Sequence, residues 1–178
     1  MPTPDRTSLD EIVAAARELI ETGGAARLTM QAVADRVGVR APSLYKRVKD
    51  RDALLLLVAR ATADALADRL DSSDGTLAGL ARAYRTFAQQ HPEGFRLLFA
   101  MEGAVESLER VSASVLRLGR KLVGEQHALD AARLITAWAT GFINMELAGA
   151  FRLGGDVGDA FEFGLARLQL GLQAPVPR

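Results

Sequence analysis

Between Arg27 and Arg51 the chain carries seven cations, Arg27, Arg36, Arg40, Lys46, Arg47, Lys49 and Arg51, against two anions, Asp35 and Asp50. The whole chain holds 22 Lys and Arg against 22 Asp and Glu, so this positive charge is segregated rather than general. Concentrated cations suit a phosphate backbone: each neutralised phosphate releases counterions, and such contacts set a docking register without carrying sequence information. Gln31 and Ser43, in the same stretch, are residue types that hydrogen-bond base edges. Other chemistries have little to build on. The chain has no cysteine, which removes disulfides, thiolate nucleophiles and thiolate metal sites. Its 2 histidines, His91 and His127, are far apart and form no H-x-x-x-H pair. Neither a histidine-rich metal site nor a Ser-His-Asp triad is expected, and the reading is of a non-enzyme without metal or cofactor.

These side chains need elements to position them. Nearly every periodic stretch repeats at helical spacing and strand-like alternation is scarce, so the expected fold is all-α. Ser8 followed by Glu11 signals a capping box for a helix over residues 8–22, with Ile12, Ala15, Ala16, Leu19 and Ile20 on one face. Gly23 and Gly24 stop it. Thr29 caps a short helix over residues 30–37, and Gly38, Val39 and Arg40 make a tight turn. Pro42 opens a second short helix ending near Val48, because its missing amide hydrogen is not needed in a first helical turn. A long helix follows over residues 53–70, then a polar loop, then helices over residues 76–90, 92–99, 103–123, 128–153 and 157–172. With 178 residues, 49% of them apolar, the chain can bury a sizeable core. The expected division is a helix-turn-helix domain over residues 1–52 and a helical domain over residues 53–178. No apolar leader and no run of about 18 apolar residues is present, so a soluble, cytoplasmic protein without a membrane partner is expected.

Within residues 28–55, small Ala34 and Gly38 let the two short helices cross closely, and Val39, Leu44 and Val48 supply the apolar face between them. A step of about 100° per residue from Ala41 puts Leu44 and Val48 inward. Pro42, Ser43 and Lys46 then face outward, with Tyr45 and Arg47 at the two borders. That outward face is the one that can enter a DNA groove.

The Thr29-capped helix, the Gly38-Val39 turn, the Leu44-Tyr45 pair and the Asp50-Arg51-Asp52 step into a long helix resemble the DNA-binding domain of the tetracycline-repressor (TetR/AcrR) family. The resemblance covers roughly the first third of the chain. Further on, His91-Pro92 followed by Phe95-Arg96-Leu97-Leu98-Phe99, and Gly141-Phe142 with Glu146-Leu147-Ala148-Gly149, resemble that family's WHG-type ligand domain. Thr140 stands where that pattern often has His. Position by position, the resemblance implies that Gln31, Ala41, Pro42 and Ser43 face bases, that Tyr45 sits between bases and backbone, and that Thr29, Lys46, Arg47, Lys49 and Arg51 hold phosphates. Arg40 belongs to the same DNA-binding set. The methyl group of Ala41 makes no hydrogen bond to a base but can touch a thymine methyl. The implied protein is a homodimeric, ligand-responsive transcriptional repressor on a palindromic operator in double-stranded DNA.

The C-terminal part concentrates Tyr84, Phe87, Phe99, Met101, Trp138, Phe142 and Met145, which either line a pocket for a small-molecule effector or form plain core. Glu102, Asn144 and Glu146 are the polar groups near them; each either meets a ligand or is held by Arg96, Arg133 or Arg152. Ala137, Gly141 and Ala148, and then Ala160, Gly164, Leu168 and Gly171, place mostly small residues at near-helical spacing on the last two helices. Such rows permit close helix contact, at a dimer interface or within one subunit. Asp156 and Asp159 match no calcium loop and read as capping residues. Two other classes stay open at this point: a helical small-molecule-binding protein that merely retains a three-helix head, and an adaptor.

Overall fold

The computed structural model describes residues 7–101 and 108–174, and among these every regular element is helical. In chain order they are α1 (Leu9–Gly23), α2 (Met30–Arg36), α3 (Ala41–Leu44), α4 (Arg51–Asp71), α5 (Leu77–Gln90), α6 (Pro92–Ala100), α7 (Glu109–Val123), α8 (Ala128–Leu147) and α9 (Val157–Gln173). The all-α expectation holds. Local chemistry sets the ends: Ser8 Oγ accepts from the Glu11 amide at 3.1 Å while the Glu11 carboxylate accepts from the Ser8 amide at 2.7 Å, the reciprocal capping box. Asp156 caps α9 by accepting from the Asp159 amide at 2.9 Å.

The chain divides into two compact units, Met1–Ala65 with His91–Leu108, and Leu66–Gln90 with Glu109–Arg178. This division falls inside α4 rather than before it, because Leu54, Leu55, Val58 and Ala59 are buried in the first unit's core beside Ile12, Ala16, Leu28, Val33, Leu44 and Val48. Helix α6 also belongs to the first unit. Leu97 joins that core, and the Glu21 carboxylate accepts the first free amides of α6, from Glu93 at 3.2 Å and Gly94 at 2.9 Å. The second unit is built on Leu77, Leu80, Ala81, Leu118, Ile135, Phe161 and Leu165, with Trp138, Phe142 and Leu168 packed against them.

Two helices stop earlier than their apolar periodicity suggests. Helix α8 ends at Leu147, not near residue 153, because Gly149 takes a left-handed φ of 62° and the amides of Ala148 and Ala150 return to the carbonyls of Asn144 and Met145. Helix α3 is only four residues long, yet the chain continues in a helical turn in which the Val48 amide donates to the Leu44 carbonyl at 2.9 Å. The face expected of a longer helix is therefore kept. For the helix expected from residue 103, the first residues lie outside those described.

Candidate nucleic-acid interface

Thr29 stands in extended conformation before α2, and its Oγ1 accepts the Ala32 amide at 3.0 Å. At the far end Gly38 adopts φ 71°, a left-handed turn that residues with a Cβ rarely take, and the Val39 amide reaches back to the Ala34 carbonyl at 3.0 Å. That turn sends the chain into α3, where Val33, Ala34, Leu44 and Val48 close the seam between the two helices with 2% exposure or less. Burying Leu44 and Val48 leaves no choice about the opposite side. Pro42, Ser43, Tyr45, Lys46, Arg47 and Lys49 are all exposed, as is Arg40 before them, while Ala41 is half-buried.

Arg40, Lys46 and Lys49 make no hydrogen bond or ion pair with another described residue. Arg36 differs: it is paired with Glu18. Gln31 donates its amide to Asp35 at 2.7 Å, one turn along α2, which leaves the Gln31 carbonyl oxygen open. Arg51 also has partners within the fold, with Nη1 3.7 Å from the Asp52 carboxylate. Its guanidinium turns back into the fold, donating from Nε to the Leu28 carbonyl at 2.8 Å and from Nη2 to the Ala25 carbonyl at 2.6 Å.

The sequence matches the family described as "Bacterial regulatory proteins, tetR family" over residues 12–58 and "Tetracyclin repressor-like, C-terminal domain" over residues 77–168. The chain belongs to the tetracycline-repressor family of transcriptional regulators. Among solved structures it is similar to SCO4313, with 27% identity over 89% of this chain and 93% of that one and a TM-score of 0.77. BioQ from Mycobacterium smegmatis is 25% identical over 94% of this chain and 98% of its own, with a TM-score of 0.68. A TetR variant from Acinetobacter baumannii AYE, solved in complex with minocycline, shares the fold with 24% identity over 94% of this chain and 97% of that one, at a TM-score of 0.70. No curated protein matches the chain by sequence.

In this tetracycline-repressor family member the expected effector residues are shared between the two units. Tyr84, Phe87, Trp138 and Phe142 lie in the second unit, whereas Phe99 and Met101 belong to the first and Glu102 lies outside the described residues. Met145 is 48% exposed. What the second unit does assemble is an aromatic cluster in which Trp138 stacks on the fully buried Phe161 at 5.1 Å and Phe142 meets Phe161 edge-on at 5.3 Å. Phe161 was missed as a candidate, although its spacing from Leu165 and Leu168 marks the same inner face of α9. Beside the cluster, Tyr84 Oη and Thr140 Oγ1 are 3.0 Å apart, and burial pushes the Tyr84 hydroxyl up to about 12. Glu146 is held neither by Arg96, by Arg133 nor by Arg152. Its partner is Arg85, in a bidentate pair at 2.6 and 2.9 Å with Gln89 donating at 3.0 Å. The Arg85 hydrogen bonds keep the Glu146 carboxyl below its ordinary range, and the Arg85 guanidinium also lies 4.7 Å over the Phe161 ring.

The small-residue rows split as well. A Cβ on Gly164 would sit 2.8 Å from the Trp138 ring, so this glycine serves packing inside the subunit, as does half-buried Leu168. Gly141 and Gly171 have nothing within 4 Å of a Cβ, and Ala137, Ala148 and Ala160 are exposed. Leu134 at 50%, Phe163 at 64% and Leu170 at 57% exposure extend this uncovered apolar surface. Sequence reasoning passed over them; the signal was the seven-residue step from Phe163 to Leu170 and the three-residue step from Leu134 to Ala137.

Proposed function

We propose that this protein is a ligand-responsive repressor that binds a palindromic operator as a homodimer. The observation that carries the proposal is the exposed face around α3, where Ser43 stands among Arg40, Lys46 and Lys49, three cations with no partner among the described residues. On that face Ala41, Pro42 and Ser43 meet base edges, and Arg40, Lys46, Arg47 and Lys49 meet phosphates, with Tyr45 between the two. The Thr29 hydroxyl, whose oxygen already caps α2, keeps its hydrogen for a phosphate, and Gln31 reaches a base once it leaves Asp35. Two copies join through Leu134, Ala137, Gly141, Met145 and Ala148 of α8 and Ala160, Phe163, Leu170 and Gly171 of α9. The dimer presents two reading helices about 34–36 Å apart, one turn of duplex, which is why the operator is palindromic.

The effector binds in the second unit beside Tyr84, Thr140, Trp138 and Phe142. Minocycline bound to a TetR variant of similar fold supports a small organic molecule as the ligand class. Helix α4 contributes to both units and is the continuous element through which a change in one reaches the other. An effector that prefers the arrangement unable to span both half-sites lowers operator affinity, and operator lowers effector affinity by the same factor.

The test is selection of tight-binding duplexes from a random pool, followed by titration of the winner and a scrambled duplex at several salt concentrations. A palindromic winner bound at least about 1,000-fold more tightly than the scrambled duplex is expected. Equal, weak binding to both sinks the proposal.

A further inference from the structure

Within the basic segment, the Arg51 guanidinium donates to main-chain carbonyls. Its Nε donates to the Leu28 carbonyl at 2.8 Å and its Nη2 to the Ala25 carbonyl at 2.6 Å, reaching back 23 and 26 residues. Both acceptors lie in the short connection between α1 and α2. The Ala25 carbonyl also accepts the Leu28 amide at 3.2 Å, closing a single 3-10 turn over Ala25–Arg27. Leu28 is fully buried, and the next residue, Thr29, is the cap of α2. On its own side Arg51 opens α4, directly after Asp50, whose carboxylate accepts the Ala53 amide at 2.8 Å. The fork therefore joins the first turn of α4 to the chain just before α2, with a capped helix start on each side.

We infer that Arg51 is a positioning residue for operator recognition: its guanidinium clamps the start of α2 to the start of α4 and so sets the attitude at which α3 meets the groove. The inference rests on the DNA-binding reading above. Helix α3 is only four residues long and is carried on α2 through Val33, Ala34, Leu44 and Val48, so its orientation follows that of α2. Apolar side chains in that seam resist separation but are non-directional, whereas two parallel N–H···O bonds from one planar group fix both distance and angle. Lysine cannot replace the clamp. A single ammonium on a flexible stem is a point charge and lacks the fork that spans two carbonyls.

A clamp and a phosphate ligand make opposite predictions. Full-length Arg51→Ala, Arg51→Lys and Lys46→Ala are compared with the unsubstituted protein on the duplex it selects, at several salt concentrations. Amide hydrogen exchange is followed without DNA. For a clamp, both Arg51 variants bind the selected duplex about ten-fold more weakly, because bidentate charged hydrogen bonds are lost in each. Their salt dependence stays unchanged, since no phosphate contact has gone, while Lys46→Ala lowers the slope by about 0.9. Amides over residues 28–33 exchange about ten-fold faster in both Arg51 variants, and those of Ile12, Ala16 and Ile20 do not change.

Arg51→Lys binding with full affinity, together with a slope lowered by about 0.9 in Arg51→Ala, would make Arg51 a phosphate ligand and overturn the inference. Unchanged exchange over residues 28–33 overturns it as well. If Arg51→Ala does not fold, Arg51→Lys, which retains the charge and the stem, decides alone. Failure of the unsubstituted protein to select any duplex refutes the DNA-binding reading by itself, and the exchange measurement still decides whether the clamp exists.

Discussion

The second unit and the α3 face of the first use charge differently. In the second, Arg82, Arg85, Arg110, Arg117 and Arg120 each meet a carboxylate, of Glu162, Glu146, Asp68, Asp71 and Glu125 respectively. On the α3 face of the first, Arg40, Lys46 and Lys49 have no such partner among the described residues. Paired charges hold helices in register, and most exposed pairs contribute little to stability. A row of unpaired cations repels itself and persists at some cost to the fold, which is understandable where an outside polyanion completes it. The contrast is between cations held by carboxylates and cations that meet none among the described residues.

The sharpest way to break this contrast is at the centre of the second unit. Phe161→Ala removes a fully buried ring that contacts Trp138, Phe142 and the Arg85 guanidinium. It should destabilise the protein by about 3–5 kcal/mol in chemical denaturation. Next comes Glu146→Gln. It deprives Arg85, only 17% exposed, of its hydrogen-bonded carboxylate and should cost about 1.5–3 kcal/mol near neutral pH. Because the folded-state pKa of Glu146 is depressed, this contribution is fully present above its ordinary value of 4.5 and is lost as pH falls through the depressed one. The gap between variant and parent should therefore narrow in acid denaturation curves; a gap that widens below pH 4.5 contradicts the pair.

In the first unit the same logic predicts a change in binding with no change in folding. Lys46→Ala combined with Lys49→Ala should weaken operator binding by about 1.5–3 kcal/mol and flatten its salt dependence by nearly two phosphate contacts. Its melting temperature should stay within about 1 °C of the parent's, the usual result for exposed surface positions. The smallest expected effect separates two glycines that look alike in sequence. Gly164→Ala forces a Cβ against Trp138 and should cost about 1 kcal/mol in denaturation. Gly141→Ala meets nothing inside the subunit and should act instead on the monomer–dimer equilibrium, read by sedimentation. Equal behaviour of the two variants would erase the distinction between inner and outer rows.

Much of the reading head was legible because its determinants are local. A cap acts over three residues, as Ser8 and Thr29 do, and the turn at Gly38 acts over about five. The inward placing of Leu44 and Val48 follows from helical periodicity, and once they are buried the outward side chains follow too. The second unit was less legible for a physical reason. Helical spacing shows that Gly141 and Gly164 lie in rows of small residues, but it does not say whether the surface opposite belongs to the same chain. Likewise Met145, read as a pocket residue, falls on the exposed side of α8.

By itself, then, the sequence determined the helices, their caps, the helix-turn-helix and the segregation of positive charge, all of which depend on neighbours a few residues away. Tertiary structure decided the partners that lie far apart in the chain. Glu146 pairs with Arg85 across 61 residues, and Arg51 reaches the Leu28 carbonyl across 23. It also decided that α6 packs with the first unit, through Leu97 and the Glu21 carboxylate. A long charged side chain on an exposed helical turn can meet solvent, a carboxylate or a carbonyl with nearly equal local energy, and only the packing of distant helices brings one acceptor within reach.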